Sequence, residues 1–275
     1  MAGGPVCGNA RPMAVSPSLV AVVGASGGLG ASTLSLAVGR RLSATGPPAV
    51  VADLDLGRGG LEVSAGVEHL PGRRWDDLRG VRGRVPPDLL LSSLPGEAGC
   101  SVLSARGGGA PPVPDSAVLD VLGSLAQTRA RVVLDLPLTS PLLPVVLAPG
   151  ALVLVVLGLR ARALADAEAC VERLVAAATD GGGVLADRGG DEVPVVDPGG
   201  GPFRMRLVTR GGRARAEVLD DVVAHLGVAH LHHLPDDPHV TRDAERGLFP
   251  GVGRDAMRRC ADRVVAEVDA LDEAS

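Results

Sequence analysis

The chain has 275 residues, 46% hydrophobic and 21% charged, enough apolar material for one large or two small globular domains; this excludes a disordered or fibrous chain. A net charge of -5 argues against a dedicated nucleic-acid binder. Every side-chain cation but histidine is an arginine, because the sequence contains no lysine, and this excludes a lysine Schiff base, a lysine general base and a phosphate-cradling ammonium.

Residues 1–17 are rich in Gly, Pro and Ala without a period and are predicted to form a flexible N-terminal arm. Leu19 to Gly24 is a continuous apolar run, as a strand buried on both faces requires, and a glycine-rich turn leads from it into a helical stretch, Ala31 to Leu42. A second run, Ala49 to Asp55, ends in two carboxylates. Gly72 to Pro114 carries Trp75 as a packing anchor and many Gly and Pro residues; it predicts short elements over the sheet edge, with a strand near Cys100 to Leu103. Val118, Val121, Leu122 and Leu125 mark the inner stripe of a helix, and a strand follows over Arg131 to Pro137. Pro141 to Leu159 lacks charge and is almost long enough to span a bilayer. Pro144, Pro149 and Gly150 interrupt it, which predicts a short helix, a turn and a buried strand, Leu152 to Leu157, with no integral membrane span.

A helix over Arg162 to Ala178 comes next, then a Gly-rich acidic stretch, Asp180 to Pro202, predicted as a mobile excursion. A strand over Arg206 to Thr209, another helix and an amphipathic final helix, Arg254 to Leu271, complete the chain. Strands alternating with helices predict an α/β fold, a mostly parallel β-sheet with helices on both faces, in one domain over 18–275. Cys7, Cys100, Cys170 and Cys260 lie far apart without paired spacing and without a secretory leader; they read as reduced thiols of a cytoplasmic protein.

The turn after the first strand reads GASGGLGAST, Gly24 to Thr33. Glycines 27, 28 and 30 let successive N–H groups point into one concavity at a helix N-terminus, which is the build of a phosphate cradle. The standard form places a lysine before the hydroxyl residue to reach the outer phosphates. Here Ala31 precedes Ser32 and Thr33, so the hydroxyl is present and the ammonium is absent. Asp53, Asp55 and Asp135 end strands beside this cradle, where magnesium contact is expected. His230 and His232 alternate on one strand face, which reads as a polar strand end rather than a zinc site. Asp76 and Asp77 read as ordinary solvated acids.

These motifs, in this order, resemble the MinD/ParA superfamily of P-loop ATPases over roughly residues 18 to 250. The family's variant loop carries a signature lysine at the position of Ser26 and a second at that of Ala31, so both are replaced here. The resemblance implies ATP or ADP with Mg2+ as the cofactor. It places nucleotide on Gly27, Gly28, Leu29, Gly30, Ala31, Ser32 and Thr33, and magnesium on Ser32, Asp53 and Asp135, partly through water. Asp55 aligns with the carboxylate that orients attacking water, and LPDDPHVTRDAERG, with Pro235, resembles the segment that packs against the adenine. Arg210 stands where the family tends to keep an adenine-reading Asn, although a solvated arginine is the plainer reading of a strand end. The phrases RRWDDL and RGRVPPDLL are similar to CpaE/TadZ proteins and to actinobacterial septum-site-determining proteins. Those carry a receiver-like domain in front, for which the 1–17 arm is too short.

The expectation is a spatial regulator with a degenerate nucleotide site and no or very weak ATPase activity. It would position a pilus, secretion or septum apparatus through contacts with cell-division or secretion proteins, recruited from the cytoplasm to pole or septum. The alternative is an active MinD/ParA-type ATPase in partitioning or septum placement. Ser26 weakens the case for a nucleotide-sandwich homodimer and leaves dimerisation by another surface open. Arg204, Arg206, Arg210, Arg213 and Arg215 form the densest basic run; without interleaved aromatics it disfavours DNA as a partner.

Overall fold

A computed structural model describes residues 19–58, 60–106, 111–147, 150–180 and 203–274. The predicted arm and nearly all of the predicted excursion lie outside these residues. Strand β1 (Leu19–Gly24) sends Leu19, Ala21 and Val23 into one core and Val20 and Val22 into the other, so its unbroken apolar run is what a strand covered on both faces needs. It feeds helix α1 (Ala31–Thr45) and then β2 (Ala49–Asp53), buried throughout. Short elements follow: α2 (Leu61–Ser64), α3 (Trp75–Leu78), α4 (Pro87–Ser92), the two-residue β3 (Gly96–Glu97) and β4 (Cys100–Leu103). The regular alternation resumes with α5 (Asp115–Leu125), β5 (Arg131–Asp135), α6 (Leu143–Val146), β6 (Leu152–Gly158) and α7 (Ala161–Asp180). It ends with β7 (Arg204–Gly211), α8 (Ala216–Leu226), β8 (His230–Pro235), α9 (Pro238–Glu245) and α10 (Ala256–Ala274).

The strands form one eight-stranded sheet in the order β3-β4-β2-β5-β1-β6-β7-β8, parallel except for the β3 edge. The apolar stretch before Leu159 divides as expected, into the one-turn α6 and the fully buried β6, and among the described residues no helix is long and apolar enough to cross a membrane.

Two cores result. One face of the sheet holds α5, α7 and Trp75, with Val118, Val121, Leu122 and Leu125 turned inward as their spacing requires. The opposite face holds α1 and α10, whose Met257, Cys260, Ala261, Val264 and Val268 are buried. Helix α1 lies close on the sheet because Gly39 has no side chain: a Cβ there would overlap Val51. Ion pairs fasten the outer side of α10, from Arg41 to Asp262 at 2.6 Å and from Arg131 to Asp269 at 2.7 Å.

Strand β1 lies between β5 and β6, so the connections leaving the sheet on its two sides run in opposite directions. In such sheets a crevice opens beyond the carboxyl ends of the strands at this point. The glycine turn occupies that position.

Candidate functional site

The turn from β1 to α1 is bent by glycines in the left-handed region, Gly28 at φ 78° and Gly30 at φ 82°. No side chain caps α1, so its first-turn amides and the positive end of its dipole face outward. A Cβ added at Gly27 or Gly28 would meet nothing within 4 Å, so the loop is open on that side. This geometry fits a phosphate group on the amides of residues 27–33. Ser26 and Ala31, both half-buried, bring no charge to it.

Parallel register sets Asp53 at the end of β2 directly beside Asp135 at the end of β5, and Asp135 is level with Val22 of β1. Asp53 is 3% exposed, and burial together with the neighbouring Asp135 charge pushes its carboxyl up to about 7. Burial also raises Asp135, against hydrogen bonds from Ser32 and Ser35 that favour its charged form. Two adjacent buried carboxyls call for a proton or a cation between them.

The three predicted magnesium residues are not equivalent. Ser32 and Asp135 meet beside the glycine loop, which fits a magnesium ion carried by a nucleotide. Asp53, in contrast, is tied into the fold. Its Oδ1 accepts the Asp55 amide at 2.9 Å, its Oδ2 accepts the Ser104 hydroxyl at 2.8 Å, and its backbone carbonyl accepts the Trp75 indole N–H at 2.7 Å. Among the described residues no group of three or more His, Cys, Asp or Glu side chains could cage a metal ion, and the strand histidines are no exception. His230 and His233 instead share the Thr209 hydroxyl at 3.0 Å each.

Asp55 is 44% exposed on its side chain and lies 3.8 Å from Arg58. It lines a cleft of 410 Å³ with Leu54, Asp76, Val113, Asp115 and Pro137. Its carboxylate therefore stands at an open position where water has access. Asp76 and Asp77 differ from the expectation of free solvated acids: Asp77 accepts the Arg74 amide and pairs with Arg106 at 2.8 Å, which holds its carboxyl below the usual range, and Asp76 accepts the Arg106 amide.

Arg210, the last residue but one of β7, is likewise not a free solvated side chain. A Cβ built on Gly30 would lie 3.0 Å from Arg210 Nη1, so the guanidinium covers the glycine loop. Asp236 stands 3.6 Å from its Nε, and the Asp236 amide bonds the Gly211 carbonyl, which joins the ends of β7 and β8 beside Pro235. The loop, Asp53, Asp55, Asp135, Arg210 and Pro235 thus all lie at the carboxyl ends of the strands.

Sequence reasoning passed over Ser35, Ser104, the Trp75 bond and the pairing of Asp236 with Arg210. Ser35 was findable, one helical turn beyond Ala31, whose carbonyl it also bonds at 3.0 Å. Ser104 carries no local signal.

No protein-family model matches the chain. Two uncharacterised proteins from two strains of Mycobacterium tuberculosis are 36% identical over 131 residues, a match covering 47% of this chain and 35% of theirs. The chain thus matches about a third of the length of these curated relatives. Among solved structures, the cell-division ATPase MinD of Pyrococcus furiosus superposes with a TM-score of 0.65 at 15% identity, covering 93% of this chain and 99% of that one. MinD from Pyrococcus horikoshii, complexed with Mg-ADP, gives 0.63 at 15% identity over 93% and 97%. A ParA family ATPase from Chlorobium tepidum gives 0.63 at 12% identity over 92% and 98%. The architecture of this chain is the α/β P-loop fold of the MinD and ParA ATPases.

Proposed function

We propose that the protein is a spatial regulator of the MinD/ParA type with a degenerate nucleotide site, similar to CpaE/TadZ proteins. In this reading it positions a pilus, secretion or septum apparatus by binding cell-division or secretion proteins, and does so from the cytoplasm at a pole or septum. The observation that carries the reading is residue 31: the glycine loop keeps its left-handed turns and uncapped helix, yet the side chain at the lysine position is a methyl group. Phosphoryl transfer is catalysed by positioning and by stabilising spread charge, so loss of that cation removes a central contribution.

Bound ATP with Mg2+ would supply the transferable phosphoryl group. The amides of residues 27–33 would bind its phosphates, Ser32 and Asp135 would hold the metal, and Asp55 would orient water. Calorimetric titration with ATP and ADP, paired with a coupled turnover assay in magnesium, tests the reading. Weak binding with turnover at background is expected. Sustained turnover that collapses in Asp55→Ala would instead support the active partitioning ATPase, a reading that the nearness of Arg210 to Gly30 favours.

A further inference from the structure

The charge missing from α1 has a counterpart two strands away. Arg210 sits at the end of β7, level with Gly158 of β6, and its guanidinium reaches past β6 to the glycine loop of β1. Nη1 would be 3.0 Å, and Cζ 3.9 Å, from a side chain on Gly30; that residue has φ 82° and no side chain, so the guanidinium takes the space left free. The Arg210 side chain is only 21% exposed. Among the described residues its one ion pair is with Asp236, at 3.6 Å, beyond hydrogen-bond length, and Asp236 is itself 71% exposed. A guanidinium carries five N–H donors. Here a mostly buried fork of donors faces the glycine loop, and among the described residues the only carboxylate paired with it is the exposed Asp236, beyond hydrogen-bond length.

We infer that Arg210 is a phosphate ligand of this site: it donates to a diphosphate group seated on the loop amides and brings a positive charge to it from β7, beside Gly30, a contact distinct from the one a lysine at position 31 would make to the outer phosphate. The inference rests on the reading of the loop as a nucleotide site. Arginine suits the task because its planar fork can grip two oxygens at once, whereas an ammonium acts as a point charge. Asp236, exposed and beyond hydrogen-bond length, is a weak competitor for the fork and leaves its donors unsaturated. The ligand chemistry is a diphosphate, free or as part of a nucleotide.

Calorimetric titration of the full chain with ADP, ATP and inorganic pyrophosphate in magnesium buffer tests this, using wild type, Arg210→Ala, Arg210→Lys and Asp236→Asn, with melting curves to show that each folds. Arg210→Ala should weaken binding about 10- to 100-fold, the size of one charge-assisted contact. Arg210→Lys should keep part of the affinity, and Asp236→Asn should bind at least as tightly as wild type. Tighter binding of ADP than of pyrophosphate assigns a nucleotide; equal binding assigns the free diphosphate. Unchanged or tighter binding in Arg210→Ala overturns the inference, as does a wild type that takes up none of the three at millimolar concentration. Fast ATP turnover that is lost in Arg210→Ala would sink the weakly catalytic reading and uphold this one. Equal binding in Arg210→Ala without turnover would do the reverse.

Discussion

Trp75 and Asp53 show how single residues brace the site from behind. The indole is fully buried and donates to the Asp53 carbonyl at the end of β2, while Ser104 and the Asp55 amide hold the carboxylate. Replacing Trp75 by Phe would keep most of the packing and leave that carbonyl without its donor. The expected cost is about 1–3 kcal/mol of folding stability, read as a lower urea midpoint with unchanged slope. An unchanged midpoint would mean that the carbonyl finds another donor. The same bracing explains why Asp53, singled out in the sequence with Asp55 and Asp135 as a magnesium contact, is bound into the scaffold. Its partner Ser104 comes 51 positions later, a separation that no local pattern encodes.

Most elements were legible because their signal is local. Strands β1, β2 and β6 are buried on both faces and read as unbroken apolar runs, and α5 shows its inward stripe at helical spacing. The place of Arg210 was not legible: it depends on three parallel pairings, β1 with β6, β6 with β7 and β7 with β8, which bring positions 30, 210 and 236 together. Strand β8 makes a prediction of its own. Burial lowers the His230 and His232 imidazoles from the usual 6.5, with Arg259 and Arg263 adding to the effect at His232 and His233 at both. The folded state therefore binds protons less readily than the unfolded one. The stability these groups contribute is complete above pH 6.5 and is lost as pH falls through 6.5 toward their lowered folded values. Over the same range the buried Asp53 carboxyl, raised to about 7, acts in the opposite sense, so the histidine contribution is read as a difference. In urea denaturation at pH 7.5 and 5.5, His230→Gln should shift the change in stability in favour of pH 5.5 relative to wild type, and an identical pH dependence in that variant would assign the effect to other groups.

Across the whole molecule, α10 ties the chain together by packing and by charge. Its apolar stripe is spent on α1 and the sheet, and Glu267 pairs with Arg206 at 3.1 Å and with Arg204 at 3.8 Å. Two arginines of the densest basic run are thereby paired with a carboxylate of the final helix. The amphipathic period of the final helix belongs to the core. Val264→Asp would place a charge inside it and is expected to cost ~3 kcal/mol or more, or to abolish folding, as monitored by circular dichroism during urea titration. A stable variant would mean that α10 can lift from the domain.

With one tryptophan and no tyrosine in the chain, ultraviolet-excited emission comes almost wholly from a single indole, and that indole touches the strand end from which Asp55 emerges. The protein thus carries an optical reporter at the rear wall of its own crevice, so movement of that wall can be followed by fluorescence without attaching a dye.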